Sequence, residues 1–104
     1  MSVFDQSLDR VIPITPKSLK EDGWEQMPLC NISQDMSRSI YRRYEKSFDD
    51  GVILCTLVTT TNHNKELVYR FSFYDNAINL RCYDFSELTY MDSIDLILNK
   101  YGII

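Results

Sequence analysis

One histidine, three cysteines, three glycines and three prolines are all that this 104-residue chain holds of the residue types that punctuate most motifs. Each scarcity excludes something. Cys30, Cys55 and Cys82 form neither a CxxC pair nor a disulfide-dense framework. With His63 as the single histidine, a zinc site would need several distant residues to converge. No metal and no cofactor are therefore expected. No GxSxG, P-loop, HExxH or GxGxxG run occurs, so no catalytic residue is assigned and the reading is non-enzymatic. No apolar run nears the ~20 residues that cross a bilayer. Met1 to Asp5 lacks the basic-then-apolar pattern of a signal peptide. These absences predict a soluble, cytoplasmic protein with no membrane partner. Cys55 and Cys82 fall in apolar, strand-like runs, where a free cysteine acts as a small hydrophobe, and this agrees with a reducing compartment. Repeats, low-complexity tracts and linkers are missing too, which leaves one domain over residues 1–104.

Aromatic residues are present in excess: seven Tyr, five Phe and one Trp. That richness argues against disorder and suits half-buried sheet faces and contact surfaces, because Tyr joins an apolar ring to a polar tip. A chain this long buries roughly two-thirds of its unfolded surface, enough for one modest core. The formal charge of −4, from 11 basic and 15 acidic residues, gives no long-range help in approaching nucleic acid or an anionic membrane.

Hydrophobic spacing predicts an α+β order. Residues 1–12 form an N-terminal arm whose Val3, Phe4 and Leu8 are too apolar for a solvated tail and are expected to dock on the domain or a partner. Thr15 is placed to cap a short helix over 15–23, with Pro16 at its first position and Gly23 as a left-handed stop before Trp24. Asn31 to Arg38 is polar and reads as a loop or a turn of helix. From Ser39 the period becomes two, and strands fill 39–85. Phe48 to Gly51 is a turn, Val52 to Thr61 a central β-branched strand, and Asn62 to Lys65 a loop. Leu67, Tyr69, Phe71 and Phe73 then face one way while Val68, Arg70, Ser72 and Tyr74 face the other. Asp75 and Asn76 turn the chain, and Ile78, Leu80 and Cys82 continue the buried side opposite Asn79, Arg81 and Tyr83. A closing helix over 89–102 carries Met91, Ile94, Ile97, Leu98 and Tyr101 as its apolar stripe. Thr89 and Asp92 make a capping-box variant at its start, and Gly102 ends it. Ile103 and Ile104 are expected to fold back onto the core. Short turns between successive strands imply an antiparallel meander of three to five strands, with the C-terminal helix on one face.

Several constellations have plainer explanations than chemistry. His63 sits among amides in a loop and reads as solvated. Asp49-Asp50-Gly51 lacks the further oxygen ligands of a calcium loop and reads as a turn. Asp92 and Asp95 lie in the first turns of a helix, where carboxylates favour the positive end of its dipole.

The outer sheet face is the best candidate for a functional surface. Arg70, Ser72 and Tyr74 would sit beside Asn79, Arg81 and Tyr83, with Arg42 or Arg43 and Tyr41 or Tyr44 extending the set. Arg and Tyr are the residues enriched at protein–protein hot spots. Interleaved on a sheet, they also suit a single-stranded nucleic acid, with guanidinium for phosphate and rings for base stacking. A plain solvated or helix-covered face stands beside these readings, and the negative charge sets protein contact above nucleic acid.

Ile12-Pro13-Ile14-Thr15-Pro16, followed by Leu19 and Gly23-Trp24, resembles the opening of small proteins encoded by phages and prophages of Bacteroides-type bacteria. The stretch from Leu88 to Ile104, ending Tyr101-Gly102-Ile103, is similar to their closing segment. No activity comes with this resemblance; it implies a small mobile-element protein that acts by binding.

These readings converge on an interaction module that binds a protein partner or itself, in an accessory, inhibitory or minor structural role. A single-stranded nucleic-acid binder is second and a small enzyme without a motif third. The expected core is Leu54, Leu57, Tyr69, Phe71, Phe73, Ile78, Leu80, Ile94, Ile97 and Leu98, so that Leu80→Asp should unfold the domain.

Overall fold

The computed structural model describes residues 12–28 and 42–104. The expected docking residues Val3, Phe4 and Leu8, the polar stretch 31–38 and Cys30 lie outside the described residues. Within them the chain is an α+β domain built as α1 (Pro16–Glu21), β1 (Glu25–Met27), β2 (Arg42–Phe48), β3 (Ile53–Thr61), β4 (Leu67–Asp75), β5 (Leu80–Leu88) and α2 (Met91–Lys100). The strands lie in chain order, each antiparallel to the next, so the sheet is an open meander with β3 at its centre.

Helix α1 is held by local chemistry. The Thr15 side chain accepts from the Ser18 amide at 3.0 Å, and Ser18 Oγ accepts from the Thr15 amide at 2.8 Å, a reciprocal cap. At the other end Gly23, at φ 92°, donates to Lys20 and Trp24 donates to Leu19. This is the Schellman arrangement, and it lays the Trp24 ring with Leu19 in the core. Helix α2 closes the same way: Gly102 donates to Asn99 and Ile103 to Leu98. Ile103 therefore packs back as expected, whereas Ile104 is exposed.

The start of α2 departs from expectation. Its N-cap is Tyr90, with no side-chain cap, in place of Thr89. A backbone bridge does the work instead. The Met91 amide donates to the Ile12 carbonyl at 2.8 Å, and the Ile14 amide donates to the Thr89 carbonyl at 3.0 Å. Thus residues 12–14 are pinned beside the junction of β5 and α2.

Register decides what is buried. Tyr44, Leu57 and Phe71 stand side by side across β2, β3 and β4, next to a row of Lys46, Cys55 and Phe73. On this face pack Leu19, Trp24, Ile94, Ile97 and Leu98. Leu57 and Ile94 are fully buried, and such side chains stabilise by about 1.5–3 kcal/mol each. Seven of the expected core residues are there.

Three are not. Leu54 pairs with Tyr74 and so takes the opposite face, half-buried. Ile78, 65% exposed, lies in the four-residue turn 76–79 that joins β4 to β5. Leu80 points to the helix side but stands at the sheet margin opposite Asp75, 49% exposed. The expectation that Leu80→Asp unfolds the domain is thereby overturned, since the new carboxylate would reach water. A short strand, β1, was not expected. It has three residues and no readable alternation, and it exists through its pairing with β2.

Candidate functional site

Opposed residues of an antiparallel pair share a face, so the register places the predicted surface residues directly. Ser72 pairs with Tyr83 and Tyr74 with Arg81, while Arg70 lies two residues before Ser72 on the same side. Arg70, Tyr74, Arg81 and Tyr83 therefore form one patch across β4 and β5, on the face turned away from α2. Arg43 reaches the same face from β2, opposite Val58, which in turn is opposite Arg70. Arg42 does not. Its partner is Thr59, and it points to the helix side of the sheet. Because successive strand residues alternate, Arg42 and Arg43 belong to opposite surfaces. Tyr44 is buried, and Asn79 sits in the turn at φ 54° with its carboxamide oxygen accepting from the Tyr74 hydroxyl.

The patch has an internal order. The Arg81 guanidinium lies over the Tyr74 ring at 5.2 Å, a cation–π contact. Arg70 pairs with Glu87 at 3.8 Å and Arg43 with Glu45 on its own strand. These exposed or half-exposed pairs are worth at most about 1 kcal/mol each, but they neutralise two of the three guanidinium groups. Arg81 keeps its charge with no carboxylate partner among the described residues.

Phe85 is the residue the sequence reading missed. It is 72% exposed, beside Tyr83 at 58%, and the two rings stack with centroids 6.2 Å apart and planes 13° from parallel. The signal was available: Arg81, Tyr83 and Phe85 are consecutive odd positions of one strand and must share a face. Past Phe85 the pairing of β5 with β4 is irregular. Phe71 is opposite Asp84 but Tyr69 is opposite Leu88, so β5 carries extra residues there. Such a bulge breaks the even row of edge amides and discourages strand-to-strand aggregation.

On the helix side, Asp84 anchors this bulge. Its carboxylate accepts from the Ser86 amide at 2.8 Å, the Tyr101 hydroxyl at 3.2 Å and Lys100 Nζ at 3.4 Å. The bonds from Ser86 chiefly hold its carboxyl below the usual range, with Tyr101 and Lys100 adding, against the opposing effect of burial. Tyr101 is in turn pushed up to about 12 by desolvation and by the Asp84 charge. Both carboxylate oxygens of Asp84 thus accept hydrogen bonds from within the domain.

The remaining candidates stay apart. His63 is exposed in the loop between β3 and β4. The Cys55 thiol is buried and pushed up to about 12 by desolvation, which leaves it a poor nucleophile. Asp49, Asp50 and Gly51 all take positive φ in the β2–β3 turn. Burial raises the Asp95 carboxyl, and the charges of Asp22 and Asp92 add to that. Among the described residues no group of three or more His, Cys, Asp or Glu is placed to hold a metal. No helix among them is long and apolar enough to cross a membrane. Comparison with protein-family models, curated proteins and solved structures finds no match to this chain.

Proposed function

We propose that this domain is a non-enzymatic interaction module, and that its protein partner docks on the outer strip formed by Tyr74, Arg81, Tyr83 and Phe85. One observation carries the reading: a parallel Tyr83–Phe85 stack stands mostly in solvent on the edge strand of an open sheet. Large exposed rings hold contact area in water at a free-energy cost, and they enter a partner's pocket with little loss of side-chain entropy. Arg81, held flat on Tyr74, adds a preoriented cation at the rim. A fitting partner presents an apolar pocket flanked by carboxylate. The resemblance of residues 12–24 and 88–104 to phage and prophage proteins suits an accessory, inhibitory or minor structural role.

The same stack, with a cation beside it, also favours a second reading, in which the rings take unpaired bases and Arg81 a phosphate. The net charge of −4 opposes it. Affinity capture from a host lysate, with and without nuclease, separates the two. A stoichiometric protein that survives nuclease and is lost with Phe85→Ala supports the protein-binding strip. Truncation of a central aromatic anchor should weaken binding by about 30-fold or more. Recovery that collapses with nuclease, and falls steeply with salt, moves the assignment to single-stranded nucleic acid. Capture that Phe85→Ala leaves unchanged refutes the strip.

A further inference from the structure

A hollow on the helix side of the sheet is lined by Arg42, Thr59, Thr61, Lys65 and Leu67. Arg42 and Thr59 are register partners on β2 and β3. Lys65 comes from the β3–β4 loop, where its φ of 64° breaks the extended path of the chain just before Leu67 opens β4. Two cationic side chains thus border one concavity, and neither has a carboxylate partner among the described residues.

Two hydroxyls beside them are anomalous. Thr59 is 3% exposed and lines the hollow, yet its Oγ1 has no hydrogen-bond partner. Tyr44, two residues from Arg42 and on the same side of the strand, is 2% exposed, and its Oη is unpartnered as well. Burial raises the Tyr44 pKa, with Tyr69 adding and Arg42 opposing. Buried polar groups are nearly always satisfied, and leaving them open costs stability. A buried hydroxyl without a partner, beside cations that lack a carboxylate, is the pattern of a site shaped for an acceptor with negative charge.

We propose that this hollow binds an oxyanion, the carboxylate or phosphate group of a small ligand, held by Arg42, Lys65 and the Thr59 hydroxyl. Arg supplies a planar fork suited to two oxygens, Lys a point charge, and Thr59 a donor already stripped of water. Leu67, 62% exposed, offers an apolar wall to whatever carries the anion. The site lies on the face opposite the Tyr83–Phe85 strip and stands or falls independently of it.

The test is titration of the ¹⁵N-labelled protein with inorganic phosphate in one arm and acetate in the other, following amide shifts. The expected result is saturable movement of the Arg42, Thr59 and Lys65 amides, weakened by added chloride; the tighter arm identifies the chemical source. Arg42→Gln and Thr59→Val should each weaken binding at least about tenfold, the loss expected for one charge-assisted hydrogen bond. Thr59→Val should keep or raise the urea midpoint, because it removes an unpaired buried hydroxyl; this separates lost binding from lost folding. No saturable movement with either anion overturns the proposal, as does wild-type affinity in both variants.

Discussion

Replacing Leu57 by Ala tests the packing logic most directly when it is paired with Leu80→Asp. Leu57 is fully buried on the central strand, between Tyr44 and Phe71 and beneath the helices. Neighbours fixed by two flanking ladders cannot collapse into the space, so the loss falls in the usual Leu→Ala span of about 2–5 kcal/mol. A domain of this size has only about 5–15 kcal/mol in hand. With a urea slope of ~1.5 kcal/mol per molar, a loss of about 3 kcal/mol lowers the midpoint by about 2 M. Leu80 points to the same side of the sheet, yet it is half exposed at the sheet margin. Its change to Asp places a carboxylate opposite Asp75, a cross-strand repulsion of at most about 1 kcal/mol. Urea unfolding followed by Trp24 fluorescence measures both. The reasoning fails if Leu57→Ala costs under about 1 kcal/mol, or if Leu80→Asp proves the more damaging of the two.

Two further outcomes concern ionisable groups. The folded-state pKa of Asp84 is depressed, chiefly by Ser86. Its stabilisation is thus present above the unfolded carboxyl value of about 3.9 and disappears as pH falls through the folded value. Thermal melts at pH 7 and pH 3 should show a larger drop for the wild type than for Asp84→Asn; equal drops would count against the Asp84 anchor. Cys55 is buried with its thiol at about 12, whereas Cys82 is half-buried on β5. Iodoacetamide on the native protein at pH 8, read by peptide mass, should mark Cys82 well before Cys55. Equal labelling would mean that the central strand opens readily.

The local elements were legible in the residues because local chemistry builds them. Thr15-Pro16 and Gly23-Trp24 bracket α1 through contacts three to five positions apart, and Gly102 ends α2 in the same way. The alternation of Tyr69, Phe71 and Phe73 with Arg70, Ser72 and Tyr74 assigned both faces of β4 correctly, since side chains in a strand repeat every two residues. The patch of Arg70, Tyr74, Arg81 and Tyr83 follows from that same period. Phe85 was also within reach of it, but the strand ran three residues past its expected end at 85.

What sequence by itself determined was therefore the order of α1, β2 to β5 and α2, the inner and outer residues of β4, and the antiparallel meander. Only tertiary structure decided how far along each strand the helices reach. That extent makes Leu57 core and leaves Leu80 at a wet margin, although both point to the helix side of the sheet. It also decided that Arg42 and Arg43 serve opposite surfaces, that Ile12 caps α2 in place of Thr89, and that Glu25–Met27 forms a strand at all. Alternation is a property of one strand, whereas coverage, register and the partner of an end amide depend on segments far apart in the chain.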